Sequence, residues 1–280
     1  VRKKRAYRNL TLLVAAGLSL LYTSFHRIAP SSSARNVLDV IDGDTIKLAG
    51  NLSMRYIGID TPEVGERQNG AYRYNPQPFA LEAKELNKAL VEGKQIRIEY
   101  DVTKKDSYGR LLGYCFVKDQ AGNETFVNEK ILEEGLGFVF TYPPNVKYTD
   151  RFVQAQEKAR RQKKGIWGAD VPADASRAAD WVGKTTCIRG TVASCYNSGK
   201  AYFLNFYPAS QSVSAQEKGP RFTTVIFAKD AVSFQQKNIP PCSYVAKPVE
   251  VVGKVKRYKE QIEIIVRDPS QITIVSEKQE

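Results

Sequence analysis

Apolar and polar positions alternate along much of this chain, and the clearest runs have strand spacing. Residues 37–48 and 54–59 alternate, with the turn residues Ala49-Gly50-Asn51 between them. Residues 95–100 and 113–117 alternate in the same way and predict two more strands. Helical spacing appears at Phe79, Ala83, Leu86 and Leu90, which predicts a helix over residues 79–92. Residues 127–134 and 150–163 predict two further helices, the last opening at Asp150. This set describes a small β-barrel with helices packed against it.

The second half has a different order. Residues 184–195, 201–207 and 222–228 read as strands and residues 229–236 as a short helix. Residues 249–258, 262–267 and 271–275 are strands again. Three strands, a helix, two main strands and a terminal extension is the order of an OB-fold. The fold class is therefore mainly β with helices (α+β), one barrel followed by a second, OB-like one. Residues 30–34 and 168–174 read as linkers, which divides the chain into residues 1–36, 37–170 and 176–277.

The first region carries Arg2, Lys3, Lys4, Arg5 and Arg8 before an uncharged, mostly apolar run over residues 9–25. A basic flank and an apolar stretch of this length predict an N-terminal hydrophobic helix, either a signal anchor or a signal peptide. The basic flank stays in the cytoplasm, which places the rest outside, on a single-pass anchor in the cell membrane or secreted. Val1 in place of Met reads as a valine start codon translated literally, hence a bacterial frame.

Charge changes the picture less than its total suggests. The formal net charge is +12. Residues 1–36 hold +7, residues 37–171 are neutral and residues 172–280 hold +5. A polyanion partner is therefore not implied for the central region by charge alone. The single histidine, His26, lies beside the apolar run, so His-dependent triads and His-rich metal sites are excluded. Hydrolysis here has to use carboxylates, arginines and a hard metal ion. The four cysteines, Cys115, Cys187, Cys195 and Cys242, form no C-x-x-C pair. Cys187 and Cys195 lie in one extended stretch roughly 26 Å apart at strand rise, too far to bridge. A bridge from Cys242 to either one is open to the chain outside the cytoplasm.

Candidate chemistry gathers in three fragments: Val40-Ile41-Asp42-Gly43-Asp44-Thr45-Ile46, then Arg55 with Asp60-Thr61-Pro62-Glu63, then Asp106-Ser107-Tyr108-Gly109-Arg110. A hairpin brings Asp44 and Asp60 to one barrel rim. Two carboxylates, a backbone carbonyl and waters suit Ca²⁺, weakly, with a dissociation constant on the order of 10⁻⁴–10⁻³ M. Pro62 holds Thr61 extended, aiming its carbonyl and projecting Glu63 towards a metal-side water. Arg55 and Arg110 suit the non-bridging oxygens of a phosphate. Taken singly, Asp42-Gly43 is a turn, Arg55 a strand charge and Tyr108-Gly109-Arg110 a hairpin. Their joint order is what carries information.

In that order they resemble the staphylococcal (micrococcal) nuclease family, the thermonuclease-like domain. The resemblance spans residues 37–167 and includes Lys47-Leu48, Val127-Asn128, Gly135-Leu136 and Lys164-Gly165-Ile166-Trp167. It implies an OB-type nuclease barrel with Asp44 and Asp60 as Ca²⁺ ligands, Thr61 giving its backbone carbonyl, and Asp42 behind them. It also implies Glu63 as general base, Arg55 and Arg110 as phosphate-binding catalytic arginines, and Tyr108 as a nucleotide contact. The implied reaction is hydrolysis of DNA and/or RNA with departure of the 5′-oxygen, leaving 3′-phosphate ends. Two departures bear on nucleotide affinity. Ser107 stands where a basic residue is expected, and the aromatic pair after Leu136 is spread over Phe138-Val139-Phe140-Thr141-Tyr142.

The second barrel carries Tyr196, Tyr202, Phe203, Phe206 and Tyr207, and a basic run Lys254-Val255-Lys256-Arg257-Tyr258-Lys259. Aromatics beside basic residues suit single strands held by stacking, while alternate aromatics also fill barrel cores. The competing function is a non-catalytic, membrane-tethered module that binds nucleic acid or protein. The presence of all three carboxylates and both arginines argues for the enzyme.

Overall fold

The computed structural model describes residues 32–68, 71–168, 171–206 and 222–275. The basic and apolar N-terminal region, His26 and Tyr207 lie outside the described residues. Among the described residues no helix is long and apolar enough to cross a membrane.

In chain order the first domain contains β1 (Ser32–Val40), β2 (Thr45–Leu48), β3 (Leu52–Tyr56), β4 (Gly58–Asp60), β5 (Gly65–Gln68) and β6 (Ala71–Tyr74). Helix α1 (Ala80–Val91), β7 (Gln95–Glu99), β8 (Leu111–Lys118) and β9 (Glu124–Phe126) follow. It ends with α2 (Val127–Glu133), β10 (Phe138–Phe140) and α3 (Thr149–Arg161). Five strands close a barrel in the order β1-β2-β3-β8-β7, with β1 returning to β7 and β3 running parallel to β8. Ile46, Met54, Tyr56, Ile96, Ile98 and Tyr114 fill it, and Phe152 of α3 joins the same core.

The second domain contains β11 (Ala173–Asp174), β12 (Thr185–Asn197), β13 (Ala201–Phe206), β14 (Phe222–Phe227), α4 (Ala231–Gln236), β15 (Pro248–Tyr258), β16 (Gln261–Val266) and β17 (Ile272–Ile274). It closes as β12-β13-β14-β16-β15, with β12 returning to β15 and β14 parallel to β16. The two barrels therefore share one connectivity, each with its helix between the third and fourth strands. That is the OB-like order expected for the second half.

The structure differs from the sequence pattern at the joints. Residues 37–48 are two strands, because the chain bends at residues 41–44 and Ile41 N donates to Thr45 O at 2.9 Å. Ser32, Ser33 and Ala34, expected in a linker, pair with Glu99, Ile98 and Arg97 of β7. Likewise Ala173 and Asp174 pair with Ile188 and Arg189, and the Ala173 side chain enters the second core. Both linkers are shorter than their composition suggests. The cysteine alternatives resolve to Cys195–Cys242, with Cα atoms 5.4 Å apart, inside the usual disulfide range. Cys115 and Cys187 are free and buried.

The domains meet through an apolar cluster of Phe138, Ala159, Ile166 and Trp167 from the first with Cys187 and Val252 from the second. Glu250, only 2% exposed, lies among these residues. It pairs with Arg160 of α3 across the interface and with Arg189 of its own barrel. Arg160 also lies 5.2 Å from the centre of the Trp167 ring. A carboxylate buried here is tolerated because two guanidinium groups meet it, and removing it strands those charges. Glu250→Ala is expected to cost roughly 3–5 kcal/mol of stability by urea denaturation. A loss under about 1 kcal/mol would contradict a buried ionic joint.

Candidate active site

The bend before β2 is held by its own carboxylates. Asp42 Oδ1 accepts from the backbone N–H of Asp44 at 3.1 Å, and Asn87 of α1 donates to Asp42 O at 3.0 Å. Tyr56 OH in turn donates to Asn87 Oδ1 at 2.9 Å, tying the bend to β3 through the helix. Gly43 lies in close packing: a Cβ there would sit 2.7 Å from both Ala83 Cβ and Thr61 Oγ1. Glycine is what allows the bend to press onto α1 and Thr61.

Asp44 is 1% exposed and has three neighbouring donors. Its Oδ1 accepts from Arg55 Nη1 at 2.6 Å and Thr45 Oγ1 at 2.9 Å, and its Oδ2 from Thr61 N–H at 2.9 Å. Arg55, cross-strand partner of Thr45, reaches Asp60 Oδ1 with its other terminal nitrogen. One guanidinium thus spans the two carboxylates expected to hold a metal. Burial, with Asp42 and Asp60 nearby, pushes the Asp44 carboxyl up to about 7 despite Arg55. Burial also raises Asp42, with Glu63 adding to the effect. Glu63 is pushed up to about 7 by burial and by Asp44 and Asp60, partly offset by Arg55 and Lys254. Burial works against the charge on Arg55, but the surrounding carboxylates outweigh it and hold its pKa above the usual value. Four acids around one guanidinium leave excess negative charge.

Arg110 approaches from the turn before β8. Asp106 organises that turn by accepting from the N–H of Tyr108 and of Arg110, both at 2.9 Å. Its other oxygen takes Arg110 Nε at 2.7 Å. Among the described residues only Nε of the Arg110 guanidinium donates a hydrogen bond, so its terminal nitrogens remain able to donate. Tyr108 is 84% exposed, with the Arg110 guanidinium 5.6 Å from its ring centre.

These residues line a cleft of about 740 Å³. Arg55, Asp60, Thr61, Glu63, Tyr108 and Arg110 all face it, and Asp44 lies just behind through its bonds to Arg55 and Thr61. Phe140 and Tyr142, from the displaced aromatic run, form part of the same wall, while Phe138 packs on Trp167. Gly183, Thr185 and Lys254 of the second barrel also line it.

The sequence matches the staphylococcal nuclease homologue family over residues 53–169. A thermonuclease from Staphylococcus hyicus is 36% identical over 176 residues, covering 59% of this chain and 98% of that protein. The chain belongs to the staphylococcal nuclease family. A thermonuclease from Staphylococcus intermedius is 38% identical over 46% of this chain and 72% of its own length. The SPbeta prophage-derived endonuclease YokF from Bacillus subtilis (strain 168) is 39% identical over 45% of this chain and 41% of its own length. The family match ends before the second barrel.

Sequence reasoning missed three contributors to this nuclease-family cleft. Asp106 was visible as part of a motif, but its role in holding Arg110 needs the turn geometry. Asn87 is polar at a helix position between Ala83 and Val91, both buried, and that misplaced polarity was the available signal. Lys254 stood out only as one charge in a basic run. The aromatics of the second barrel divide: Phe206 is core, Tyr196 is exposed and stacks on Phe203 at 6.2 Å, and none among the described residues lines the cleft.

Proposed function

We propose that this nuclease-family chain is a calcium-dependent endonuclease that hydrolyses phosphodiester bonds of DNA and/or RNA outside the cytoplasm. The observation that carries the reading is the convergence of Asp60, Thr61, Glu63, Arg55 and Arg110 on one cleft, with Asp44 behind them. The donor set fits a hard cation: carboxylate oxygens in excess over one guanidinium, beside a buried Thr61 Oγ1 that has no hydrogen-bond partner. Asp44, Asp60 and the Thr61 carbonyl would hold the ion, with Asp42 fixing the Asp44 backbone. Bound there, calcium would supply Lewis-acid charge to a phosphoryl oxygen.

The remaining steps belong to side chains. Arg110, steadied through Nε by Asp106, offers its terminal nitrogens to non-bridging phosphate oxygens, and Arg55 adds a second guanidinium beside it. Both oppose the negative charge that grows as phosphorus becomes five-coordinate. Glu63 makes no ion pair among the described residues and accepts the proton of the attacking water. Tyr108 presents an exposed ring to the nucleotide. The 5′-oxygen leaves, and the product carries a 3′-phosphate.

Two features support an extracytoplasmic setting. The Cys195–Cys242 bridge suits an oxidising compartment. The basic and apolar N-terminal sequence suits export or anchoring. Cell fractionation is expected to retain the full-length protein with the membrane, and a soluble product starting near residue 34 would contradict an anchor.

Cleavage of denatured DNA by the full chain with added Ca²⁺ tests the enzyme reading. Chelation is expected to abolish cleavage, and Arg110→Ala to slow it by roughly 10²–10³. Cleavage that persists in chelator removes calcium, near-wild-type cleavage by Arg110→Ala removes its role, and binding without cleavage establishes the non-catalytic alternative.

A further inference from the structure

Strand β15 alternates its faces, and one face links the domain interface to the cleft. Glu250, Val252, Lys254, Lys256 and Tyr258 point the same way because strand side chains repeat every second residue. The first two are fixed: Glu250 pairs with Arg160 of the nuclease domain, and Val252 packs in the cluster with Phe138 and Trp167. Two residues further, roughly 7 Å along the strand, Lys254 lines the cleft with Arg55, Glu63 and Arg110. Its cross-strand partner Thr185 lines it too. Lys254 makes no ion pair among the described residues, although its charge acts on Glu63 across the cleft, whereas Arg55 and Arg110 are paired directly with carboxylates. Beyond the cleft the same face continues with Lys256 and Tyr258, both exposed.

The charge distribution gives this geometry a purpose. Residues 37–171 are neutral, and the carboxylates at the catalytic rim repel a polyanion, while residues 172–280 carry +5. We infer that Lys254 of the second barrel is a substrate-binding residue of the catalytic cleft, gripping a backbone phosphate next to the scissile one, with the strand leaving across Lys256 and Tyr258. The inference rests on the nuclease reading and names the contact through which the second barrel holds the substrate. The barrels act as two walls of one site, and their ionic joint fixes Lys254 in position.

A fluorescent single-stranded DNA 12-mer tests this with the full chain, first by anisotropy in chelator, then by steady-state cleavage in Ca²⁺. Lys254→Ala is expected to weaken binding and raise KM by about tenfold. The slope of log affinity against log salt should flatten by about 0.7–1, the loss of one phosphate contact. Lys254→Arg should restore both. Lys200→Ala, which removes the same charge from the β12–β13 turn outside the cleft, should match wild type. Wild-type affinity, KM and salt slope in Lys254→Ala would overturn the contact while leaving the nuclease intact, as would an equal loss in Lys200→Ala. Binding that depends on Lys254 without cleavage by wild type would instead remove the nuclease reading and keep the contact.

Discussion

A carboxylate buried behind the cleft organises the nuclease domain around itself. Asp44 draws Arg55 from β3, the Thr45 hydroxyl from the next residue and the Thr61 N–H from the end of β4. Burying such a charge is costly unless hydrogen bonds and a counter-charge meet it, and here three segments supply them. The bend at residues 41–44 is fixed beside it by separate contacts, with Gly43 leaving room for Ala83 and Thr61 and Asn87 of the packed helix donating to Asp42 O. One guanidinium against Asp42, Asp44, Asp60 and Glu63 leaves the site short of positive charge. The proposed hard cation would complement that imbalance.

A second buried carboxylate performs the corresponding task between domains. Glu250 gathers Arg160 from the nuclease domain and Arg189 from the second barrel beside the Trp167 cluster. The repeated barrel connectivity shows how one architecture can serve two ends. The first barrel carries the cluster of acids and arginines at its rim, and the second turns a strand face towards that rim. Electrostatics divide along the same line, with acids concentrated at the rim of the first barrel and Lys254 reaching the cleft from the second.

Much of this was legible in the chain because the barrel strands alternate and the helices keep their apolar stripe. Residues 95–100, 113–117 and 249–258 became β7, β8 and β15 with shifts of one or two residues. Arg55, Asp60, Thr61, Glu63, Tyr108 and Arg110, singled out in the sequence by their joint order and its resemblance to the family, line one cleft in the structure. What escaped depended on tertiary pairing. Residues 37–48 kept alternating through a bend that is held by tertiary contacts of Asp42 and Asp44 and by the Ile41–Thr45 backbone bond. The three-residue strands β4, β9 and β10 are too short for periodicity to register. Ser32–Ala34 looks like linker by composition, yet β7 offers an open edge for it to pair with. Lys254 could not be told from Lys256 or Lys259, because its distinction is the domain packing on one side of it.

The end chemistry of cleaved DNA tests the central claim most directly, namely that this acid and arginine centre hydrolyses phosphodiesters with Glu63 as base. A 5′-labelled single-stranded oligonucleotide would be cut by the full chain and by Glu63→Gln in Ca²⁺, and the fragment ends identified. Wild type is expected to leave fragments with 3′-phosphates, and Glu63→Gln to slow their formation by at least about a hundredfold. Fragments ending in 3′-hydroxyls, or equal rates from the two proteins, would contradict it.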